Sequence, residues 1–375
     1  MYNFFKTLRV IYRIERDNIS YRELIEFLYE ETPPSNYNFL NYNYAPHISK
    51  ITKYGRGVKT KPIFSVIIPT YNCQKLLMGT LQAAVSQKDV PSSEFEIIIV
   101  DNGSMDQTAG TVAGFARFQK ETEIIYVKLK KNYGADFARN VGALWSQGSL
   151  LAFTDDDCLV PPDWLSWFKR ILDSHPEVIG ASGWKEPYSI SGDLDFYHRF
   201  AFWTHKFFPT PLKNTAYSFR SGYTANFCCR KESFKKLGGF NFYFQHIGFY
   251  DFPVRIYKSG LSLIYEPRMV KHEASFSFKD YFHKSLIMGA DLYLLHLLHP
   301  NLWKNISFFY FLKRAKKEMG AILSDPKDPP IFRKSLSDMV GFSFLAIISN
   351  FCYWFGRYRI PFKSAFHISN TGVDA

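Results

Sequence analysis

The sequence predicts an α/β domain built on a doubly wound sheet, with helical extensions before and after it. Three short apolar runs, FSVIIP at 64–69, EIIIV at 96–100 and LLAF at 150–153, have the composition of strands buried on both faces of a parallel sheet. The segments 74–87, 105–120 and 134–147 have helical spacing, so strand and helix alternate in the order that right-handed crossovers produce. Each apolar run also breaks abruptly into a polar cluster: Thr70, Tyr71 and Asn72, then Asp101 to Ser104, then Asp155, Asp156 and Asp157. In an open α/β sheet the carboxyl ends of the strands share one edge, where ligands bind, so the three clusters should converge.

Residues 1–31 place Phe4, Phe5, Leu8, Ile11, Tyr12, Leu24, Ile25 and Leu28 at helical intervals among mixed charges, which predicts one or two amphipathic helices. The stretch 32–61, rich in Pro, Asn and Tyr, has no period and reads as an irregular connection draped over the next domain. The expected organisation is an N-terminal helical extension and linker at 1–61, a catalytic domain at 62–275 and a helical C-terminal region at 276–375. Within the domain, 62–157 is the expected doubly wound half and 158–275 the second half.

The formal net charge of +12 predicts attraction to polyanions such as nucleic acid, anionic lipid or phosphorylated ligands. Lys and Arg are scattered along the chain rather than clustered on one element, which speaks against a nucleic-acid partner. Five cysteines form no CxxC pair, so neither a zinc finger nor a disulfide scaffold is indicated and a reducing compartment fits. The opening residues lack a leader-like apolar core because Arg9, Arg13, Glu15 and Arg16 interrupt it. The expected location is cytoplasmic, with the inner face of the membrane as a variant of that reading.

In the run TDDDC at 154–158, alternate side chains of an extended segment share a side, so Asp155 and Asp157 point together and Asp156 away. Two such carboxylates repel unless a cation lies between them, and Mg²⁺ or Mn²⁺ accepts carboxylate and phosphate oxygens together. A solvated acidic loop is the alternative. Asp101 could accept hydrogen bonds from a base or ribose, and Tyr71 offers a flat face for stacking; taken alone, each reads first as a turn residue. No GxGxxG or Walker A run is present, which removes the main support for dinucleotide and P-loop readings.

The segments SVIIPTYN (65–72), IIIVDNGSMDQT (97–108), NYGADFARNVGALWSQG (132–148) and LLAFTDDDCLVPPDWL (150–165) together resemble glycosyltransferase family 2. The resemblance extends over about 63–275 and implies a GT-A type Rossmann-like sandwich with a mixed central sheet. It implies a metal-dependent, inverting, hexosyltransferase-type enzyme that moves a sugar from a nucleotide diphosphate sugar to a carbohydrate or lipid-linked acceptor. By the same resemblance Pro69, Thr70, Tyr71, Asn72 and Asp101 hold the nucleoside, with Arg139 and Asn140 near the donor. Asp155, Asp156 and Asp157 form the DxD segment, Asp155 near the ribose and Asp157 on a Mn²⁺ or Mg²⁺ ion, with His272 completing the metal site. Asn226 becomes a candidate for bonds to the donor sugar, with a capping or turn role equally open.

At one point the chain departs from this pattern. Counting back from Arg255, the acidic pair that normally supplies the general base falls on Gly248 and Phe249. Asp251 is the expected substitute and His246 its rival, while Asp251 also stands at i,i+4 to Arg255, where it could simply form an ion pair. The missing pair leaves open a second reading, a catalytically impaired carbohydrate- or nucleotide-binding relative. Beyond residue 276 the chain is aromatic and helical, and 339–355 runs seventeen residues without a charge between basic flanks. That segment is expected either to lie against an anionic membrane surface or to pack, buried, on the catalytic domain.

Overall fold

A computed structural model describes residues 38–55, 61–189, 196, 199–200, 224–244, 248–273, 278–298 and 336–356. The expected helices at 1–31 lie outside the described residues. Among the described residues nine strands form one mixed sheet in the order β1-β4-β3-β2-β5-β8-β7-β9-β6. In chain order they are β1 (Ile48–Tyr54), β2 (Phe64–Thr70), β3 (Phe95–Asp101), β4 (Glu123–Leu129), β5 (Leu150–Phe153), β6 (Cys158–Leu159), β7 (Gly180–Tyr188), β8 (Phe227–Arg230) and β9 (Leu263–Glu273). The helices are α1 (Gln74–Val85), α2 (Thr108–Phe118), α3 (Ala135–Trp145), α4 (Trp164–Ser174), α5 (Lys231–Lys236), α6 (Gly248–Lys258), α7 (Phe278–Leu298) and α8 (Leu336–Gly356).

The three strands read from the sequence pair in parallel, β2 with β3 on one side and with β5 on the other. Their side chains alternate between two cores, as the period of two dictates. Val66 and Ile68 join Leu77 of α1 and Phe168 of α4 on one face, whereas Ile67 joins Phe137 of α3 and Phe252 of α6 on the other. The order 4-3-2-5 reverses direction between β2 and β5, which makes their carboxyl ends a topological switch point.

Two elements correct the sequence reading. EIIYVKL forms β4, parallel to β3, between the second and third expected helices. The supposed irregular linker contributes β1, which runs antiparallel to β4 at the edge of the sheet. Its residues are half-buried or exposed throughout, with Lys50 and Lys53 among the exposed ones, the pattern of a guarded edge strand. Before β1, Tyr42 and Tyr44 stack edge-on against Phe137 of α3, so this part of the linker is held by aromatic contacts.

The second half of the domain adds β8 antiparallel to β5, then β7 antiparallel to β8, then β9 parallel to β7. Helices α7 and α8 pack against each other. Among the described residues no helix is long and apolar enough to cross a membrane.

Candidate donor and metal site

The site forms where β2, β3 and β5 end. After β2, Asn72 adopts a left-handed backbone, φ 52°, which Asn tolerates better than most residues. Its N–H donates to Ser104 Oγ at 2.9 Å and its Oδ1 accepts from Met105 N–H at 2.9 Å, so the loops after β2 and β3 are tied together. Gly103 is required in the second loop: its φ is +81°, and a Cβ there would meet the Lys131 backbone at 2.5 Å. Tyr71, 44 % exposed, leaves its ring open to solvent beside this junction.

The acidic triplet is held from both sides. Asp156 accepts the Tyr71 N–H at 3.2 Å through its carboxylate, and its carbonyl accepts the Thr80 hydroxyl at 2.9 Å. Asp155 receives Arg139 Nη2 at 2.6 Å, and Nη1 of the same guanidinium donates to Asp136 at 2.7 Å. Asp157 faces His272 Nε2 at 3.5 Å and accepts the Cys158 thiol at 3.4 Å. His272 reaches the triplet because β9 pairs with β6, Cys158 opposite His272, while Glu273 N–H donates to the Asp157 carbonyl at 3.0 Å. One ligand atom from each of Asp155, Asp157, Cys158 and His272 lies within 4.8 Å of the others.

Burial, and then the neighbouring Asp157, pushes the Asp156 carboxyl up to about 7. Burial and Asp155 together push Asp157 up to about 6. Burial would raise Asp155 as well, but Arg139 outweighs it and holds that carboxyl below the usual range. Burial, followed by the charge of Lys185, lowers His272 to about 3, so its imidazole is neutral. Two carboxylates and a neutral imidazole form a donor set suited to a divalent cation, and the unfavourable charge of the triplet is what such an ion would relieve.

Most of the other expected residues are buried, each within its own set of contacts. Asp101 is fully buried: Oδ1 accepts Ser104 N–H at 2.7 Å, Oδ2 accepts the Tyr126 hydroxyl, and Lys128 Nζ lies at 4.0 Å. Asn140 is buried, bonded to Tyr44 Oη at 3.1 Å and to both the carbonyl and N–H of Phe240 at 2.8 and 2.9 Å. Asn226, also buried, accepts Trp164 Nε1 at 2.9 Å and donates to the Trp184 and Arg268 carbonyls, each at 2.8 Å. Pro69 and Thr70 are buried within β2. Asp251 is 2 % exposed and pairs with Arg255 Nε at 2.7 Å, while Arg255 also donates to the Gly239 carbonyl at 2.7 Å. His246 lies outside the described residues.

The sequence reading missed Asp136, Cys158, Lys185 and Lys284, all of which act on the triplet. Asp136 carried a local signal, since it precedes Arg139 by three positions on α3. Lys185 on β7 and Lys284 on α7 influence Asp157 from distant segments, and nothing local marks them.

Residues 65–238 match the family described as Glycosyl transferase family 2. This part of the chain is a glycosyltransferase family 2 domain. The match spans β2 through α5, so the family 2 domain supplies the switch point and the triplet, while β1 and His272 lie outside the matched residues. Over 106 residues the chain is 39% identical to the glycosyltransferase AglE of Haloferax volcanii, covering 28% of this chain and 34% of AglE. It is 30% identical over 122 residues to the undecaprenyl-phosphate 4-deoxy-4-formamido-L-arabinose transferase of Edwardsiella ictaluri, covering 32% of this chain and 37% of that one. The chain thus spans about a third of each of these relatives. Among solved structures it is similar to the mannosyltransferase PcManGT from Pyrobaculum calidifontis in complex with GDP-Man and Mn2+, with 20% identity, a TM-score of 0.49, and coverage of 79% of this chain and 74% of that one.

Proposed function

We propose that this protein transfers a sugar from a nucleotide diphosphate sugar to an acceptor hydroxyl, with inversion, using Mn²⁺ or Mg²⁺. The observation that carries the reading is the convergence of Asp155, Asp157 and His272 within 4.8 Å at the switch point of a family 2 domain. Asp157 and His272 would hold the ion, with Asp155 beside them. The bound metal would neutralise charge developing on the diphosphate leaving group.

The remaining work falls to the protein's own groups. Tyr71, exposed at the mouth of the β2 loop, would stack on the base. Asp101 and Asn72 would act by shaping that loop, since their polar atoms bind Ser104 and Met105. Arg139 would fix Asp155 against Asp136, so that the triplet meets its ligand in one arrangement. Asn140 and Asn226 would serve as buried clamps that hold the pocket wall.

Inversion needs a base for the acceptor proton. We assign Asp251 to its ion pair with Arg255 rather than to proton abstraction, which leaves His246 as the remaining sequence candidate. A carbohydrate or lipid-linked acceptor suits the reading, the latter supported by a relative named for undecaprenyl phosphate.

The test is calorimetry of UDP, GDP, dTDP and CDP with and without Mn²⁺, repeated on Asp157→Ala. Metal-dependent binding of one nucleotide, lost in the variant, is the expected result. Binding of none would overturn the transferase reading; binding without turnover on any acceptor would favour an impaired relative.

A further inference from the structure

Helix α8 is apolar on the side that faces away from the protein. Phe342, Leu345, Ala346 and Asn350 are buried, and Phe342 packs against Phe196 and Phe200 with ring centroids 5.2 Å apart in each case. On the outside, Val340 is 65%, Phe344 58% and Ile347 48% exposed. Spacings of four and three residues put these on one stripe, roughly 10 Å long at the helical rise. A helix on the surface of a globular protein ordinarily turns polar residues outward. Here no charged residue follows Asp338 within the helix.

Charge identifies what would cover the stripe. Arg333 and Lys334 precede the helix, Arg357, Arg359 and Lys363 follow it, and the whole chain carries +12. A second copy of the same face would bring these cations together, whereas an anionic surface would meet them favourably. Among the described residues no helix is fit to cross a bilayer, so the arrangement suits a helix lying in the interface with its apolar face at the acyl boundary.

We propose that the outer face of α8 seats this protein on the surface of an anionic phospholipid bilayer. The stripe enters the headgroup region and the flanking Arg and Lys contact lipid phosphates. The inference bears on the proposed transfer only through the acceptor, which a membrane-seated enzyme would meet in the lipid phase.

The experiment is co-sedimentation of the full chain with phosphatidylcholine vesicles, with and without phosphatidylglycerol. The parent chain should bind the anionic vesicles, less so as salt rises, and the double variant Phe344→Glu/Ile347→Glu should lose at least about tenfold in partitioning. Both substitutions sit on the exposed face, and an unchanged melting temperature will confirm that the variant folds. Absence of binding by the parent, or equal binding by the folded variant, would overturn the proposal. So would a dimer, seen by light scattering without vesicles, that the variant dissolves. Nucleotide calorimetry on the same preparation separates this outcome from failure of the transferase reading, because vesicle binding does not depend on the donor site.

Discussion

His272 lies directly opposite Cys158 in the antiparallel pairing of β6 with β9, and that register brings its imidazole to within 3.5 Å of the Asp157 carboxylate. A strand contributed more than a hundred residues downstream of the acidic triplet therefore brings a fourth side chain to the candidate donor set. Substituting His272→Ala is expected to weaken Mn²⁺ binding by at least about tenfold, since losing even an outer-shell partner of a ligand costs about ten- to a hundredfold. Metal titration by calorimetry measures it, and an unchanged affinity would remove His272 from the site.

Metal affinity should depend on pH in a definite direction. Asp157 and Asp156 stand at about 6 and about 7 because burial, and then the charge of Asp155 for the former and of Asp157 for the latter, favours their protonated forms. A metal needs the carboxylates ionised, so apparent affinity should rise from pH 5 to pH 8, with protons released on binding at the acid end. His272, at about 3, should release none over this range. Calorimetry in buffers of different ionisation enthalpy counts the protons; a flat profile would contradict the geometry.

Asn140→Ala should cost stability rather than nucleotide affinity. Its side chain satisfies Phe240 N–H and the Phe240 carbonyl, and leaving such buried groups unpaired costs about 1 to 3 kcal/mol. Chemical denaturation should show the loss while donor binding by the folded fraction stays near that of the parent.

Asp251→Asn is expected to keep turnover within about tenfold of the parent and to lower the melting temperature, because Arg255 would lose its buried partner. A fall in kcat of about 10² to 10⁴-fold, with stability retained, would instead make Asp251 the base.

Much of the central frame was legible because β2, β3 and β5 are buried on both faces, and parallel strands so placed must be continuously apolar. β4 was harder to see: Lys128 interrupts it, and it leads into further lysines rather than into an abrupt polar turn. β1 is half exposed and carries the mixed composition of an edge. The triplet and Arg139 were visible as local patterns. Asn140 and Asn226 show where such reading stops, since their burial and hydrogen bonds to Phe240, Trp164, Trp184 and Arg268 depend on segments far away in the sequence. Lys185 and Lys284 reach the site through topology alone.

The place of β1 bears on how this protein can be divided. The family match begins at residue 65, seventeen residues after β1 starts at Ile48. A chain shortened to begin at Pro62 would retain the switch point and the triplet, yet it would leave β4 with an open row of amide and carbonyl groups. Such a fragment would be prone to pair edge to edge with its own copies, so self-association on shortening is the cost of treating the matched segment as the folding unit.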